Sequence, residues 1–429
     1  MYRPSRREFL RDFAVWGLLA AGSGCLASCQ PTGGLAQPTA AGRATAPRDW
    51  PYAREARHYS SMVAGLDCTS CHADAPSEVL YCHVPHSSQY VKCGLCPRGC
   101  VIAEGHRGDC RVRENRGGKL HTLVYGNPCA LNNDPIEKKP FYHFWPGTFA
   151  LSLATAGCNL HCQYCQNWTI SQSRPEDVDY QELMPEAVVA LALKLGSRSI
   201  AFTYSEPTVF FEYMVDTARL ARSVGLASVV ISAGYINPTP LRELCDVVDA
   251  IKIDLKGFNE EFYRRIVEGQ LQPVLRTLET IAQSGVHLEI VNLVVPTLND
   301  NRDELRRLSE WIVAHLGPDV PTHFSRFHPM YKLTNLPSTP VETLDAAREA
   351  ALQAGIRYVY VGNVPGHPAN STYCHCCGKT VVERIGYAIV GYHIDSEGKC
   401  AYCGCAIPGV WDKEGPPKVE GRPGGMADY

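Results

Sequence analysis

The sequence predicts an α/β fold: a partial (βα)6-type, TIM-like barrel, with a cysteine-rich module before it and a zinc-ribbon-like module after it. Two observations predict the barrel. From residue 149 onward, short β-branched runs alternate with longer amphipathic runs, and several amphipathic runs end in glycine, the residue favoured just beyond a helix. A third observation predicts the modules: most cysteines are bunched, at 68–110, 158–165 and 374–405.

The alternation of the two kinds of run indicates βα units with parallel strands. Six or seven strands favour a barrel, partial or full, over a doubly wound sheet, and a barrel collects its chemistry at the carboxyl ends of the strands. The strand candidates are 149–157, 199–206, 227–236, 250–255, 287–296, 322–328 and 358–363. The helix candidates are 184–196, 208–225, 273–285, 301–317 and 341–355.

Composition excludes some classes of protein. The net charge of −3, with mixed signs, gives no reason to expect a nucleic-acid partner. No stretch reaches the roughly 18 apolar residues of a membrane-spanning helix. The 20 cysteines recur as C-x2-C pairs in a chain of enzyme size, which favours metal ligation over disulfides. The predicted segments are a signal at 1–29, a linker at 30–55, the cysteine-rich module at 56–145, the barrel at 146–366, the zinc-ribbon-like module at 367–411 and a tail at 412–429.

The N-terminus resembles a twin-arginine export signal. Arg6 and Arg7 precede a short apolar run that begins at Phe13, as in a signal peptide. The stretch "LASC", which ends at Cys29, resembles a lipoprotein cleavage box. These features predict a periplasmic or membrane-associated protein, and a lipoprotein if Cys29 is acylated. The alternatives are an uncleaved membrane-associating segment and, if the signal is not used, a cytoplasmic protein.

Three cysteines lie on the loop after the first predicted barrel strand. Cys158, Cys162 and Cys165 have C-x3-C-x2-C spacing in "GCNLHCQYCQNW". A structural metal ion takes four protein ligands, and a fully protein-ligated iron–sulfur cluster takes four cysteines. Three thiols therefore predict a metal site with one open position at the barrel mouth.

This loop, with Tyr164 before its last cysteine, resembles that of the radical S-adenosylmethionine (SAM) superfamily. Further motifs resemble the AmmeMemoRadiSam-system radical SAM enzymes, which are relatives of pyruvate formate-lyase activating enzymes. They are "CGLCPRGCVIAEGHRGDCRVREN", "DPIEKKPFYHFWPG", "TYSEPTVFFEY", "IKIDLKGF", "HFSRFHP", "YVYVGNVPG" and the "CGK", "CAYCG" and "IPGVW" stretches of the tail, within about 93–411.

The resemblance implies that Cys158, Cys162 and Cys165 ligate a [4Fe–4S] cluster whose open iron binds SAM. A reductant of the ferredoxin or flavodoxin kind would supply one electron, and the 5′-deoxyadenosyl radical would take a hydrogen atom from an unidentified substrate, with proteins among the candidates. Glycyl-radical enzyme activation is the first alternative. A non-catalytic iron–sulfur or haem electron-transfer protein is the second.

The same resemblance suggests contacts to SAM. Ser205 and Glu206 of "TYSEP" follow the second strand, and their oxygens suit the SAM ammonium group; a helix N-terminal charge is the alternative role for Glu206. Asp254 and Lys256 end the fourth strand near the expected ribose and carboxylate, and an ion pair within the barrel is the alternative there.

Four further residues are expected at or near the same end of the barrel. Thr297 stands where relatives are expected to have glycine, which puts the geometry of that turn in question. His323, His328 and Tyr331 are expected to face the mouth, without assigned roles.

The tail contains two C-x2-C knuckles with zinc-ribbon spacing. The second cysteine of each knuckle precedes a glycine, which allows a tight turn. The four predicted zinc ligands are Cys374, Cys377, Cys400 and Cys403. Because Cys376 and Cys405 are additional, another pairing or an iron–sulfur centre stays open.

Two more cysteine sets lie upstream. Cys93, Cys96, Cys100 and Cys110 are predicted to bind either zinc or an auxiliary iron–sulfur cluster. "CTSCH" matches a c-type haem attachment sequence, in which Cys68 and Cys71 would bind haem c and His72 would ligate its iron. Zinc ligation is the alternative, and a distal ligand could come from the nearby His83 or His86.

Overall fold

The computed structural model describes residues 49–62 and 90–413. The predicted export signal, Cys29, and the haem candidates Cys68, Cys71 and His72 lie outside these residues, so they remain predictions. In the part of the chain that is described, we find no helix with the length and apolar character needed to cross a membrane.

The N-terminal module consists of two small antiparallel sheets. One has the order β1–β6–β5 and the other the order β2–β3–β4. Cys93, Cys96, Cys100 and Cys110 lie at the ends of these strands or in the turns between them. The strands are β1 Arg54–Glu55, β2 Tyr59–Met62, β3 Tyr90–Cys93, β4 Val101–Ala103, β5 Arg113–Arg116 and β6 Lys119–Thr122.

The central sheet has eight strands in the order β14–β13–β12–β11–β10–β9–β8–β7. Strands β8 to β14 are parallel to their neighbours, whereas β7 is antiparallel to β8. All seven predicted strands are present, so an α/β fold with a mostly parallel sheet is confirmed. The strands are β7 Ala130–Pro135, β8 Phe149–Ala154, β9 Ser199–Phe202, β10 Ala227–Ser232, β11 Ala250–Asp254, β12 His287–Val294, β13 Thr322–Arg326 and β14 Val359–Gly362.

Strand β7 was not predicted. Its sequence, "ALNNDP", contains no β-branched residue, and it lies in the segment that we expected to belong to the N-terminal module. It pairs along its whole length with β8, from Ala130 opposite Ala154 to Pro135 opposite Phe149. The central sheet therefore begins upstream of residue 146.

Helices connect the parallel strands. The five predicted helices are present, and Gly285 and Gly355 end two of them in the left-handed conformation expected of a terminal glycine. The helix at Pro238–Cys245 was not predicted. The helices are α1 Trp168–Ser171, α2 Pro185–Lys194, α3 Phe211–Ser223, α4 Pro238–Cys245, α5 Glu260–Phe262, α6 Leu271–Ser284, α7 Arg302–Leu316 and α8 Val341–Ala354; a π-helical turn, Tyr263–Val267, follows α5.

A buried segment closes the floor of the barrel, at the amino ends of the strands. Phe141 and Phe144 pack with Ala150, Ala201 and other small inward residues of β8 to β11. Glu289 of β12 is fully buried and accepts hydrogen bonds from the backbone N–H groups of Tyr142 (2.9 Å) and His143 (2.8 Å). Side chains from several strands thus meet one segment at the amino ends of the strands.

The C-terminal module packs against this floor. Its sheet consists of β15 Thr372–Tyr373, β16 Thr380–Ile385 and β17 Ala388–Tyr392. Its core includes Val381 and Ile394 and is shared with Tyr358 and Tyr360 of the barrel edge. The buried Arg384 donates to the carbonyl of Tyr142 (2.8 Å), which fastens the module to the floor segment.

Candidate active site

The three-cysteine loop leaves the carboxyl end of β8, as predicted. Gly157, with φ +93°, turns the chain out of the strand. Backbone N–H groups of His161 and Gln163 then donate to the carbonyls of Val267 (3.1 Å) and Ile266 (3.0 Å) in the π-helical turn. The loop is therefore fastened to the π-helical turn.

The three cysteines of the loop are at least partly shielded from solvent. Cys162 is buried, and Cys158 and Cys165 are half-buried. The N–H of Leu160 lies 3.4 Å from the Cys158 sulfur, and the Ser171 hydroxyl lies 3.2 Å from that of Cys165. Such donors stabilise thiolate ligands.

Burial and neighbouring charges disfavour the thiolate form of the loop cysteines unless a cation is bound. Burial, followed by the neighbouring Glu206 carboxylate and Cys162, raises the pKa of Cys158 well above its usual range. Burial raises the pKa of Cys162 to about 12, although Lys256 opposes this shift. Without a metal these thiols stay protonated, whereas iron binds the thiolate form. Three thiols on one loop, with nearby donors, therefore fit a cluster that has one iron not ligated by protein.

Glu206 lies close to the cysteine loop but already has several partners. Its carboxylate accepts from the hydroxyls of Thr208 (2.7 Å) and Ser232 (2.6 Å) and from the backbone N–H of Ala233 (2.9 Å). It also caps the 3-10 turn Pro207–Phe210 by accepting from Thr208 N. The helix-terminus role is thus seen directly. Ser205 is half-buried and donates to the Thr155 carbonyl (2.8 Å).

Asp254 lies between two lysines. Its carboxylate contacts the ammonium groups of Lys252 and, at 2.9 Å, Lys256. Burial opposes ionisation, but the two lysines outweigh it and lower the pKa of Asp254 to about 2. The ion pair that was the alternative reading is therefore present. It lies beside Cys162, whose pKa both Lys256 and Asp254 affect.

Lys252 was missed by sequence reasoning, although a signal existed. Residues two apart on a strand share a face, so "KIDLK" places Lys252 and Asp254 on the same side of β11, and Lys256 follows the end of the strand. Lys252 is almost fully buried. The interior of the barrel therefore carries a charged row that runs from its middle to the cysteine loop.

A second polar group inside the barrel was also missed. Tyr204 has φ +61° and donates its hydroxyl to Asp134 of β7 (2.6 Å). The buried Lys139 binds the same carboxylate (2.6 Å) and lies 4.2 Å from the centre of the Tyr204 ring. Burial lowers the pKa of Lys139 to about 8. Because β7 was not recognised as a strand, its side chains could not be placed in the barrel.

The structure also places the four other residues that the sequence analysis considered at the barrel mouth. Thr297 adopts φ +67°, a conformation that favours glycine. Tyr331 stacks on Trp168 of the cysteine loop, with ring centroids 5.2 Å apart, so it lies at the mouth. The expectation for His323 was wrong: this buried residue near the start of β13 contacts Glu289 (2.8 Å) at the floor. His328 is exposed and contacts Ser338.

The tail cysteines come together as one group. The sulfurs of Cys374, Cys377, Cys400 and Cys403 all lie within 4.8 Å of one another and could hold a metal ion. Cys374 and Cys403 are 3.6 Å apart, and Cys377 and Cys400 are 3.8 Å apart.

The glycines after the tail knuckles adopt the expected conformation, with φ +71° at Gly378 and +73° at Gly404. The additional cysteines, Cys376 and Cys405, form a disulfide.

A comparison with protein-family models decides the family. The model of the radical SAM superfamily matches residues 152–312, which include the cysteine loop and strands β9 to β12. This chain belongs to the radical SAM superfamily.

The chain is also similar to several known proteins. An uncharacterised protein of Methanocaldococcus jannaschii is 47% identical over 315 residues, which cover 73% of this chain and 94% of that protein. Pyruvate formate-lyase 1-activating enzyme of Escherichia coli K12 is 25% identical over 219 residues, covering 48% and 89%. Among solved structures, a radical SAM methyltransferase from Sphaerobacter thermophilus matches with a TM-score of 0.42 and 15% identity, over 55% of this chain and 71% of that one.

Proposed function

We propose that this radical SAM protein cleaves SAM reductively and abstracts a hydrogen atom from a substrate. The observation that carries the proposal is the three-thiol loop at the mouth of the barrel, with Lys256 and Glu206 beside its sulfurs. Cys158, Cys162 and Cys165 would hold a [4Fe–4S] cluster. When bound and reduced, the cluster and SAM supply methionine and a 5′-deoxyadenosyl radical, chemistry that belongs to the cofactors rather than to side chains.

The side chains of this protein would bind and orient SAM and would shield the radical from water. Lys256 is a half-buried cation next to Cys162 and suits the carboxylate of SAM. Glu206 offers the nearest buried carboxylate to Cys158 and suits the ammonium group, provided that it exchanges one hydroxyl partner for SAM. The apolar floor around Phe141 and Phe144 closes the far end of the barrel, which excludes water from a reactive radical.

The substrate is proposed only as a class. Relatives named as pyruvate formate-lyase activating enzymes share about half of this chain, so hydrogen abstraction from a protein backbone, as in glycyl-radical activation, is the first specific candidate. A ferredoxin- or flavodoxin-like protein would deliver the electron. We further propose that the tail tetrad holds a structural zinc ion, since its sulfur spacing suits one tetrahedral ion.

The test is an anaerobic assay of reconstituted protein with SAM and dithionite. 5′-Deoxyadenosine and methionine are expected by liquid chromatography and mass spectrometry. Cys158→Ala should abolish both products. Cys245→Ala is the matched control, because this half-buried cysteine lies at the end of α4, away from the loop. An intact cluster that yields neither product would refute the proposal and favour an electron-transfer role.

A further inference from the structure

The N-terminal module gathers four thiols around one cavity. Cys93 ends β3, Cys96 and Cys100 lie in the turn before β4, and Cys110 precedes β5. Cys93, Cys96 and Cys110 are buried and Cys100 is half-buried. All four line the same cavity, together with Arg113 and Asn159. The strand turns thus bring together a complete set of four sulfur ligands.

The spacing of these sulfurs differs from that of a single-ion site. Zinc–sulfur bonds of about 2.3 Å in a tetrahedron place sulfurs roughly 3.8 Å apart, and the tail tetrad has such distances, 3.6 and 3.8 Å. Among the described residues, no three of the N-terminal sulfurs lie within 4.8 Å of one another. The three thiols of the radical SAM loop are spread in the same way. Sulfurs that bind separate irons of one cluster must stand farther apart than ligands of one ion.

The wall of the cavity carries an unused cationic donor. Arg113 is 1% exposed, and its Nε atom has no hydrogen-bond partner. Its terminal nitrogens bind Glu212 (2.5 Å) and the carbonyl of Arg57 (3.2 Å). An unmade hydrogen bond of a buried, charged group is costly. A negatively charged four-thiolate cluster would give this donor an acceptor.

The cavity lies against the radical SAM loop. A Cβ atom placed on Gly157 would lie 2.6 Å from the carbonyl oxygen of Cys110. Arg98, on the wall of the cavity, donates through Nε to the carbonyl of Asn159 (2.9 Å), the residue after Cys158. The four-thiol module therefore shares a wall with the loop of the catalytic cluster.

We propose that Cys93, Cys96, Cys100 and Cys110 bind a second [4Fe–4S] cluster rather than zinc. Because four cysteines ligate it, it has no open iron for SAM. The spread sulfurs, the common cavity and the unpaired Arg113 Nε carry this assignment. It does not depend on the proposed reaction.

The test is metal analysis of the full-length protein prepared without oxygen, with haem iron subtracted by a pyridine haemochrome assay. About eight non-haem irons per chain are expected, with about one zinc ion in the tail tetrad. The decisive variant is the triple substitution C158A/C162A/C165A, which leaves the N-terminal module untouched. It should keep about four irons, and after reduction it should show a cluster signal in electron paramagnetic resonance that SAM does not change.

Two further variants separate the sites. C93A/C96A should lose about half of the iron and keep the zinc. C377S/C403S should lose the zinc and keep the iron, since both of its cysteines belong to the tail tetrad. The assignment is overturned if the triple variant is free of iron, if SAM alters its signal, or if C93A/C96A loses zinc instead of iron. Absence of 5′-deoxyadenosine in the SAM assay would leave these metal counts unaffected.

Discussion

Gly157 offers a sharp test of how closely the two cysteine loops are packed. It has φ +93°, and a Cβ atom there would lie 2.6 Å from both the Cys110 carbonyl oxygen and a methyl carbon of Val112. One of these neighbours is backbone, so it cannot simply rotate away. We therefore expect Gly157→Ala to be strongly destabilising, although it adds only a methyl group.

Two costs add up in that variant. A left-handed conformation costs a residue with a Cβ atom roughly 1–2 kcal/mol, and overpacking a tight site costs about 1–3 kcal/mol. The free energy of unfolding should thus fall by about 2–5 kcal/mol. The matched control is Gly285→Ala, where φ is +80° but no atom lies within 4 Å of the added carbon. It should show only the conformational cost of roughly 1–2 kcal/mol.

The measurement is urea denaturation of both variants and the parent protein, under anaerobic reducing conditions and at equal metal content. The difference between the two variants isolates the contact with Cys110 and Val112. If Gly157→Ala were no less stable than Gly285→Ala, the close packing of the two loops would be refuted.

Three other substitutions test separate parts of the barrel. Glu289→Gln should lower the free energy of unfolding by about 3 kcal/mol at neutral pH, since it weakens a buried carboxylate with four hydrogen-bonded partners. Burial raises the pKa of Glu289, but hydrogen bonds from His287 and His323 outweigh this effect and hold the pKa well below its usual 4.5. The stability that the Glu289 carboxylate contributes is therefore present above pH 4.5 and is lost as the pH falls towards the pKa of Glu289 in the folded protein. The melting temperature of the variant should therefore vary less with pH in acid solution than that of the parent protein. Thr297→Gly should raise the free energy of unfolding, measured by urea denaturation, by up to about 1 kcal/mol, because it removes a left-handed β-branched residue; an unchanged free energy would contradict that strain. Lys256→Met should weaken SAM binding about tenfold or more in equilibrium dialysis, which corresponds to the loss of one charged hydrogen bond; unchanged affinity would remove Lys256 from the SAM site.

Much of the barrel could be predicted because its signals are local. A β-branched run such as "ASVVIS" becomes the buried strand β10, and Gly285 ends α6 where the pattern places it. The position of the cysteine loop follows from the same logic, since Cys158 comes directly after the first parallel strand. The two knuckles of the tail could also be predicted from the sequence, because Gly378 and Gly404 directly follow the second cysteine of each knuckle.

The unpredicted features depend on tertiary contacts. Strand β7 forms from a polar sequence because β8 offers it an unpaired edge, so Asp134 and Lys139 could not be placed in advance. His323 was expected at the mouth, yet its position near the start of β13 directs it to Glu289 at the floor. The proposal of a cluster rather than zinc at Cys93 and its neighbours rests on the separation of their sulfurs, which the C-x2-C spacing does not reveal.

The floor of the barrel also has a consequence for how the chain folds. Trp145 donates to the carbonyl of Val410 (2.9 Å), and Val410 donates back to that of His143 (2.7 Å). These partners are separated by most of the barrel sequence. Contacts of such long range make folding slow, and on the ribosome the floor cannot close until residues near 410 have emerged. The barrel therefore stays open at this end until synthesis is nearly complete, although the three-cysteine loop at its other end has emerged long before.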